Sequence, residues 1–229
     1  LAPKSYADSI KEGLSVSSLF KIILKTIANT NIVWPITTVF KDLGRLTTSM
    51  IGSDIVYHFA SNADIAAAAN DPTIDFWNGT YLTHNVLEAM RRNSVNRIIF
   101  SSTGSIYGEP KNFPTKEYEA FPIQTSLYGS SKLACEGLIQ AYCSGFGFKS
   151  VILRFVSIMG RRYSHGHLFD FYKQLKKNKK KLKVLGNGMQ KKSYLNIDDC
   201  IRAMMLVMKK NNKNVNIYNL GTDRFITVK

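Results

Sequence analysis

Tyr128 and Lys132 stand four residues apart in Tyr128-Gly129-Ser130-Ser131-Lys132. On a helix that spacing puts both side chains on one face. A phenol is a poor base at neutral pH, because its unperturbed pKa is about 10. An ammonium one turn away favours the phenolate and would lower that value. A hydroxyl brought from elsewhere in the chain, here that of Thr103, could orient a substrate alcohol toward the phenolate. The three groups together make a device for moving a proton on or off a secondary alcohol. Tyr and Lys are common, however, and most such pairs are ordinary helix-surface residues.

The surroundings raise the odds. Arg97-Ile98-Ile99-Phe100 reads as a short buried strand, and Ser101-Ser102-Thr103-Gly104-Ser105-Ile106-Tyr107-Gly108 follows at its C-terminal end. Open α/β sheets bind their ligands at that end. SSTGSIYG followed about twenty-five residues on by YGSSK resembles the extended short-chain dehydrogenase/reductase family. These are the NAD-dependent sugar-nucleotide epimerases and dehydratases, and the resemblance runs from about Tyr6 to the C-terminus. It implies a Rossmann-like, doubly wound parallel sheet, NAD as cofactor, a nucleotide sugar (a UDP-hexose) as substrate and a homodimer. Tyr128 would then remove a proton from a sugar hydroxyl while Thr103 hydrogen-bonds the reacting oxygen. Lys132 would hold the cofactor ribose and, with the positive nicotinamide, bring Tyr128 toward the working pH.

Further positions transfer one at a time. Asp8, in Tyr6-Ala7-Asp8-Ser9, matches the acidic residue that takes the adenosine ribose. Asp42 and Leu43 resemble an adenine contact, with a plain turn Asp as the equal alternative. Phe59, Ala60 and Ser61 would line the nicotinamide side after a strand at Ile55–Ala60, and Ser101 joins the cofactor set. Asn78 matches an Asn that braces the strand ends, although a bare Asn could equally cap a helix. Val156 is expected to make a backbone cofactor contact. Ser157 stands where the family has a phosphate-binding Asn, and Lys192 stands at a phosphate-binding Arg, keeping the charge without the bidentate fork. Asp198-Asp199 matches a family helix start, where acidic side chains suit the helix dipole.

The elements that must position these groups read as alternating strands and helices, hence a parallel sheet. Helices are expected at Ser15–Ile27, Asn78–Asn93 and Ser126–Tyr142, and strands at Thr37–Phe40, Val151–Phe155 and Tyr218–Leu220. Residues 1–155 and 196–229 would form the NAD-binding domain, with 156–195 part of a substrate-binding subdomain. No GxGxxG occurs, although a Rossmann unit opens with such a turn. The expectation is therefore a chain lacking the first strand, phosphate loop and first helix, with part of the sugar pocket missing at the other end.

Composition agrees with a cytoplasmic α/β enzyme: 229 residues can bury a sizeable core, at 45% hydrophobic and 21% charged. No apolar run reaches the ~20 residues of a membrane span. Cys135, Cys143 and Cys200 form no framework, so free thiols are expected. The net charge of +15 admits three readings: nucleic-acid binding, an anionic substrate, or Lys-rich composition. The run Lys173, Lys176, Lys177, Lys179, Lys180, Lys181, Lys183 reads as a solvated face, since stacking aromatics for a nucleic acid are sparse there. His165 and His167 bracket Gly166 like metal ligands, yet no Cys or acidic partner stands at useful spacing, and no metal is expected.

Three functions stay open: a nucleotide-sugar 4-epimerase, a related dehydratase, decarboxylase or reductase, and a non-catalytic fragment or basic binding protein. Two positions favour the first. Related dehydratases carry Asp-Glu after the catalytic Thr, and decarboxylases carry Glu two residues before the Tyr of the YG element. Here Gly104 and Ser105 stand there, and neither titrates near neutral pH.

Overall fold

A computed structural model of the chain describes residues 42–62, 65–119, 123–161, 163, 166–184, 187–210 and 213–228. Asp8, the helix expected at Ser15–Ile27, the strand at Thr37–Phe40 and His165 lie outside these residues.

Four strands make the central sheet: β1 (Val56–His58), β2 (Arg97–Thr103), β3 (Lys149–Phe155) and β7 (Val215–Leu220). They lie in the order β1-β2-β3-β7 and pair in parallel throughout. Each side chain along a strand points to the face opposite its neighbour's. Accordingly Ile98, Phe100 and Ile152 enter one core while Ile99, Val151 and Leu153 enter another. Both faces are buried, which is why Ile98-Ile99-Phe100 and Val151-Ile152-Leu153 are continuous apolar runs rather than alternating ones.

The first face is covered by α1 (Leu43–Ser49), α2 (Leu82–Arg92) and α3 (Leu127–Phe146), which contribute Leu46, Leu87, Met90, Cys135 and Ile139. A π-helical turn, Phe76–Tyr81, leads into α2. The second face is covered by α5 (Ile197–Lys210), through Cys200 and Met204, and by Leu195 of β6 (Tyr194–Asn196). Three cysteines, Cys135, Cys143 and Cys200, are buried free thiols.

Between β3 and α5 the chain leaves the main sheet. It forms β4 (Ser157–Met159), which pairs with β6, then α4 (His167–Lys177), and then β5 (Lys191–Lys192), which pairs with β8 (Ile226–Thr227). The tail of the chain thus joins the segment expected to face the substrate.

Helix α3 begins and ends where its sequence dictates. The Ser126 hydroxyl accepts from the Gly129 amide at 3.0 Å, satisfying one of the orphan donors of the first turn. Gly147 closes the helix at φ 68°, a left-handed conformation that suits a residue without Cβ. The helix begins one residue after Ser126 and runs past Tyr142, and β2 extends three residues beyond Phe100. The strand expected at Ile55–Ala60 keeps only Val56–His58.

An ion pair buried to near completeness joins these elements. Arg154 of β3 donates from Nε and Nη2 to the two carboxylate oxygens of Glu136 on α3, at 3.0 and 2.7 Å. Ser102 of β2 donates to the same carboxylate. The second terminal nitrogen, Nη1, reaches the Tyr107 hydroxyl and the Glu117 carbonyl, both at 2.7 Å. Removing one partner of such a pair leaves an uncompensated buried charge, costing about 3–5 kcal/mol. Arg154→Ala should therefore lower unfolding stability by that order in urea titrations. Arg91→Ala should have a far smaller effect, because Arg91 pairs with Glu88 at a partly exposed position.

Candidate active site

Three consecutive residues at the end of β2 meet three residues of α3 spaced four apart. The Lys132 ammonium donates to the Ser101 carbonyl at 2.7 Å. Ser102 bonds Glu136. The Thr103 and Ser61 hydroxyls lie close enough to the Tyr128 phenol to lower it, while Thr103 Oγ1 donates to Ser105 Oγ at 3.2 Å and Ser61 Oγ to the Asn62 carbonyl at 2.8 Å. Thr103 also caps the short 3-10 turn Gly104–Tyr107 by accepting from the Ser105 amide at 3.1 Å. The sequence pattern thus brings Thr103, Tyr128 and Lys132 into one place, with Ser61 and Ser101 beside them.

The electrostatics differ from the expectation in one respect. The Tyr128 phenol lies above its ordinary value, chiefly because burial removes water from the phenolate, partly offset by the Thr103 hydrogen bond. Lys132 exerts no depressing effect on it that is resolved. Lys132 is itself pushed down to about 8 by burial, and its ammonium is turned onto the Ser101 carbonyl and over the Phe100 ring, 4.7 Å from the centroid. The expected help from Lys132 to the phenolate is absent, and burial sets the direction of the Tyr128 shift.

Under the pair runs a buried polar chain. His58 Nε2 and Thr83 Oγ1 share a hydrogen bond of 2.8 Å, and Thr83 Oγ1 donates to Cys135 Sγ at 3.2 Å. With its one proton given to sulfur, the Thr83 hydroxyl accepts from His58, which fixes the Nε2–H tautomer. Burial first, and the Lys132 charge second, lower His58 to about 3.

The remaining expected residues separate into two groups. Asn78 lies in the π-helical turn, and its Oδ1 is buried with no hydrogen-bond partner. Phe59 packs into the second core and edges against Tyr57, while Ala60 is exposed beyond β1. The Val156 amide donates to the Leu220 carbonyl at 3.2 Å at the C-terminal edge of the sheet. Asp42 sits further off as the cap of α1, accepting from the Arg45 amide at 3.2 Å, and Leu43 opens that helix and packs on the first core.

On the substrate side, Ser157 pairs in register with Tyr194, whose hydroxyl bonds His167. The Lys192 charge helps hold the His167 ring below its ordinary value, after burial. Ser157, Lys192, His167 and Tyr194 therefore form a second polar group. His167 is engaged by a phenol, and among the described residues no group of His, Cys, Asp or Glu is arranged to hold a metal. Asp198 and Asp199 occupy the first turn of α5, as their sequence position suggested.

Sequence reading missed Glu136, Arg154, Asp75 and Thr83. An Arg inside the apolar run Val151–Phe155, with a Glu one turn beyond Lys132, was the available signal for the first two. Asp75 carried none, since nothing local marks an acid before Phe76-Trp77 as buried.

The family model described as "NAD dependent epimerase/dehydratase family" matches residues 24–221. A UDP-glucose 4-epimerase of Corynebacterium glutamicum is 29% identical over 195 residues, spanning 78% of this chain and 58% of that protein. The human dTDP-D-glucose 4,6-dehydratase is 30% identical over 172 residues, 74% of this chain and 48% of that one. The crystal structure of a UDP-glucose 4-epimerase with UDP-glucose from Thermotoga maritima superposes with a TM-score of 0.74 at 28% identity, covering 82% of this chain and 62% of that one. The chain spans about half the length of the curated relatives it matches. No helix among the described residues is long and apolar enough to cross a membrane.

Because His58 in the folded protein titrates near 3, below its unfolded 6.5, it contributes stability that is complete above about pH 6.5 and is lost as the pH falls toward 3. His58→Gln should flatten the acid side of the stability curve over that window. The difference approaches one bound proton, ~1.4 kcal/mol per pH unit, measurable by urea unfolding at a series of pH values.

Proposed function

The chain belongs to the NAD-dependent epimerase/dehydratase family, and from that premise we propose that the protein epimerises C4 of a UDP-hexose through a transient 4-keto sugar. The observation that carries the reading is the convergence of the Tyr128 phenol, the Thr103 hydroxyl and the Lys132 ammonium at the C-terminal end of β2.

The residues fit a bound NAD. Asn78 Oδ1 is a buried acceptor that lacks a donor. Lys132 is a buried ammonium with one carbonyl partner, leaving donors for a ribose. Ser61, Phe59, Ala60, Ser101 and Val156 would line the nicotinamide end, and Asp8, Asp42 and Leu43 would serve the adenosine end. When bound, NAD supplies the hydride acceptor and a positive charge beside Tyr128. The protein's own part is then to hold the sugar hydroxyl against Tyr128, with Thr103 donating to or accepting from the reacting oxygen. Tyr128 removes the hydroxyl proton and returns it after the keto-sugar has turned over. Ser157 and Lys192, on the β4–β6 and β5 segments, would meet the substrate phosphates, and residues 156–195 would form part of the substrate-binding subdomain.

Gly104 and Ser105 favour epimerisation over dehydration. Losing water across C5 and C6 needs a second acid and base, and these two positions supply neither. A homodimer is part of the same proposal: Phe76, Trp77 and Tyr81 stack edge to face on the surface, 50%, 42% and 36% exposed. Such a patch suits a second copy of the chain.

The test uses the intact protein with UDP-glucose or UDP-N-acetylglucosamine, followed by NMR. The C4 epimer should appear without net NADH. A 4-keto-6-deoxy sugar or a pentose in place of the C4 epimer would overturn the assignment. Tyr128→Phe should keep nucleotide-sugar affinity and lose more than ~10²-fold in turnover. A loss of only a few-fold would move the chemistry to another group.

A further inference from the structure

Asp75 is 3% exposed and lies at the entry to the π-helical turn. One carboxylate oxygen, Oδ1, accepts from the Asn62 side-chain amide at 2.9 Å. The other, Oδ2, is buried and has no hydrogen-bond partner. The Asp75 backbone is fastened to the catalytic helix, since the Ser131 hydroxyl donates to the Asp75 carbonyl at 2.7 Å and shares a 2.9 Å bond with Thr80. Ser131 is the neighbour of Lys132, and the Asp75 charge acts on both Lys132 and Tyr128.

The other titratable groups facing the pair are already compensated or neutral. Glu136 is matched by Arg154 through two hydrogen bonds. Cys135 is raised by burial and stays a thiol, and His58 is held neutral. Among the described residues around Tyr128 and Lys132, Asp75 is the carboxyl group with no basic side chain bonded to it. A carboxyl group buried without a basic partner acts through space on the titratable groups nearest to it, and here these include the two groups of the proposed reaction.

We propose that Asp75 is a positioning residue whose buried carboxylate, held by Asn62 and by the Ser131 tie to α3, sets the protonation balance of the Tyr128–Lys132 pair. The inference rests on the reading of Tyr128 as the proton-transfer group. After Cys135 and Glu136, Asp75 opposes the desolvation that lowers Lys132, and it favours the proton on Tyr128 until a positive charge arrives beside it. Its effect is a shift in pH dependence, distinct from the loss of plateau turnover that a packing defect produces.

The test is D75N, which keeps the shape and the acceptor for Asn62, with D75S as a second uncharged variant should the first fold poorly. Tyrosines carrying 13C at Cζ give a Tyr128 signal identified by its disappearance in Tyr128→Phe. In D75N or D75S that signal should titrate lower than in the parent by about half a pH unit or more, as expected for removing a charge at an effective dielectric near 20. The acid limb of kcat/KM should move the same way. A Tyr128 titration and an acid limb that coincide with the parent's in a folded variant would overturn the proposal. Full turnover in Tyr128→Phe would instead overturn the reading beneath it, and the NMR titration still judges Asp75 on its own.

Discussion

Burying Glu136 and Arg154 together constrains everything around them. A carboxylate and a guanidinium taken out of water must find each other in good geometry, with their remaining donors and acceptors satisfied. Here the bidentate contact, the Ser102 hydroxyl, the Tyr107 phenol and the Glu117 carbonyl meet that demand. The requirement fixes α3 against the ends of β2 and β3 and draws in the 3-10 turn. Tyr107 passes it on to β7 by donating to Asn219 Oδ1 at 2.7 Å. Two strand residues advance ~6.6 Å and four helical residues ~6 Å. Lys132 and Tyr128, four apart on α3, therefore match Ser101 and Thr103, two apart on β2, while Glu136 holds Ser102.

This match of spacings also explains the charge state of the site. Seating an ammonium and a phenol between a helix and a strand end removes both from water. Desolvation then drives each toward its neutral form, Lys132 downward and Tyr128 upward. The protein alone holds a protonated Tyr128 beside a Lys132 poised near neutral pH. Geometry is supplied in advance, while the electrostatic drive toward the phenolate has to come with what binds there.

The parts of this arrangement that were legible in the chain were those carried by local pattern. Ile98-Ile99-Phe100 and Val151-Ile152-Leu153 announce strands buried on both faces, and Ser126 announces the start of α3. The strand-end hydroxyls with the four-residue Tyr–Lys spacing announce the site. What stayed hidden depends on partners far apart in sequence. Glu136 and Arg154 are 18 residues apart and Tyr107 and Asn219 are 112 apart, and no local signal says which buried polar group will find which. The expected depression of Tyr128 failed for a related reason: burial is a property of the packed structure and cannot be read from a spacing of two residues.

The π-helical turn at Phe76–Tyr81 carries a consequence of its own. Such a turn holds one more residue than the α-helix it interrupts, and it lies between Asp75 and α2. At Gly79 the helical segment approaches α3 so closely that a Cβ would sit 2.3 Å from the Ser131 hydroxyl. Losing one residue from this stretch would let the backbone relax into regular α-helix and would turn everything upstream by about 100° about the axis, one residue's share of a 3.6-residue turn. Asp75 would swing away from Lys132 and the acceptor on Asn78 away from the strand ends, while α2 kept its seat in the core. The chain would still fold, with its gearing slipped by one tooth, so the number of residues in this turn is as much a part of the site as the side chains it presents.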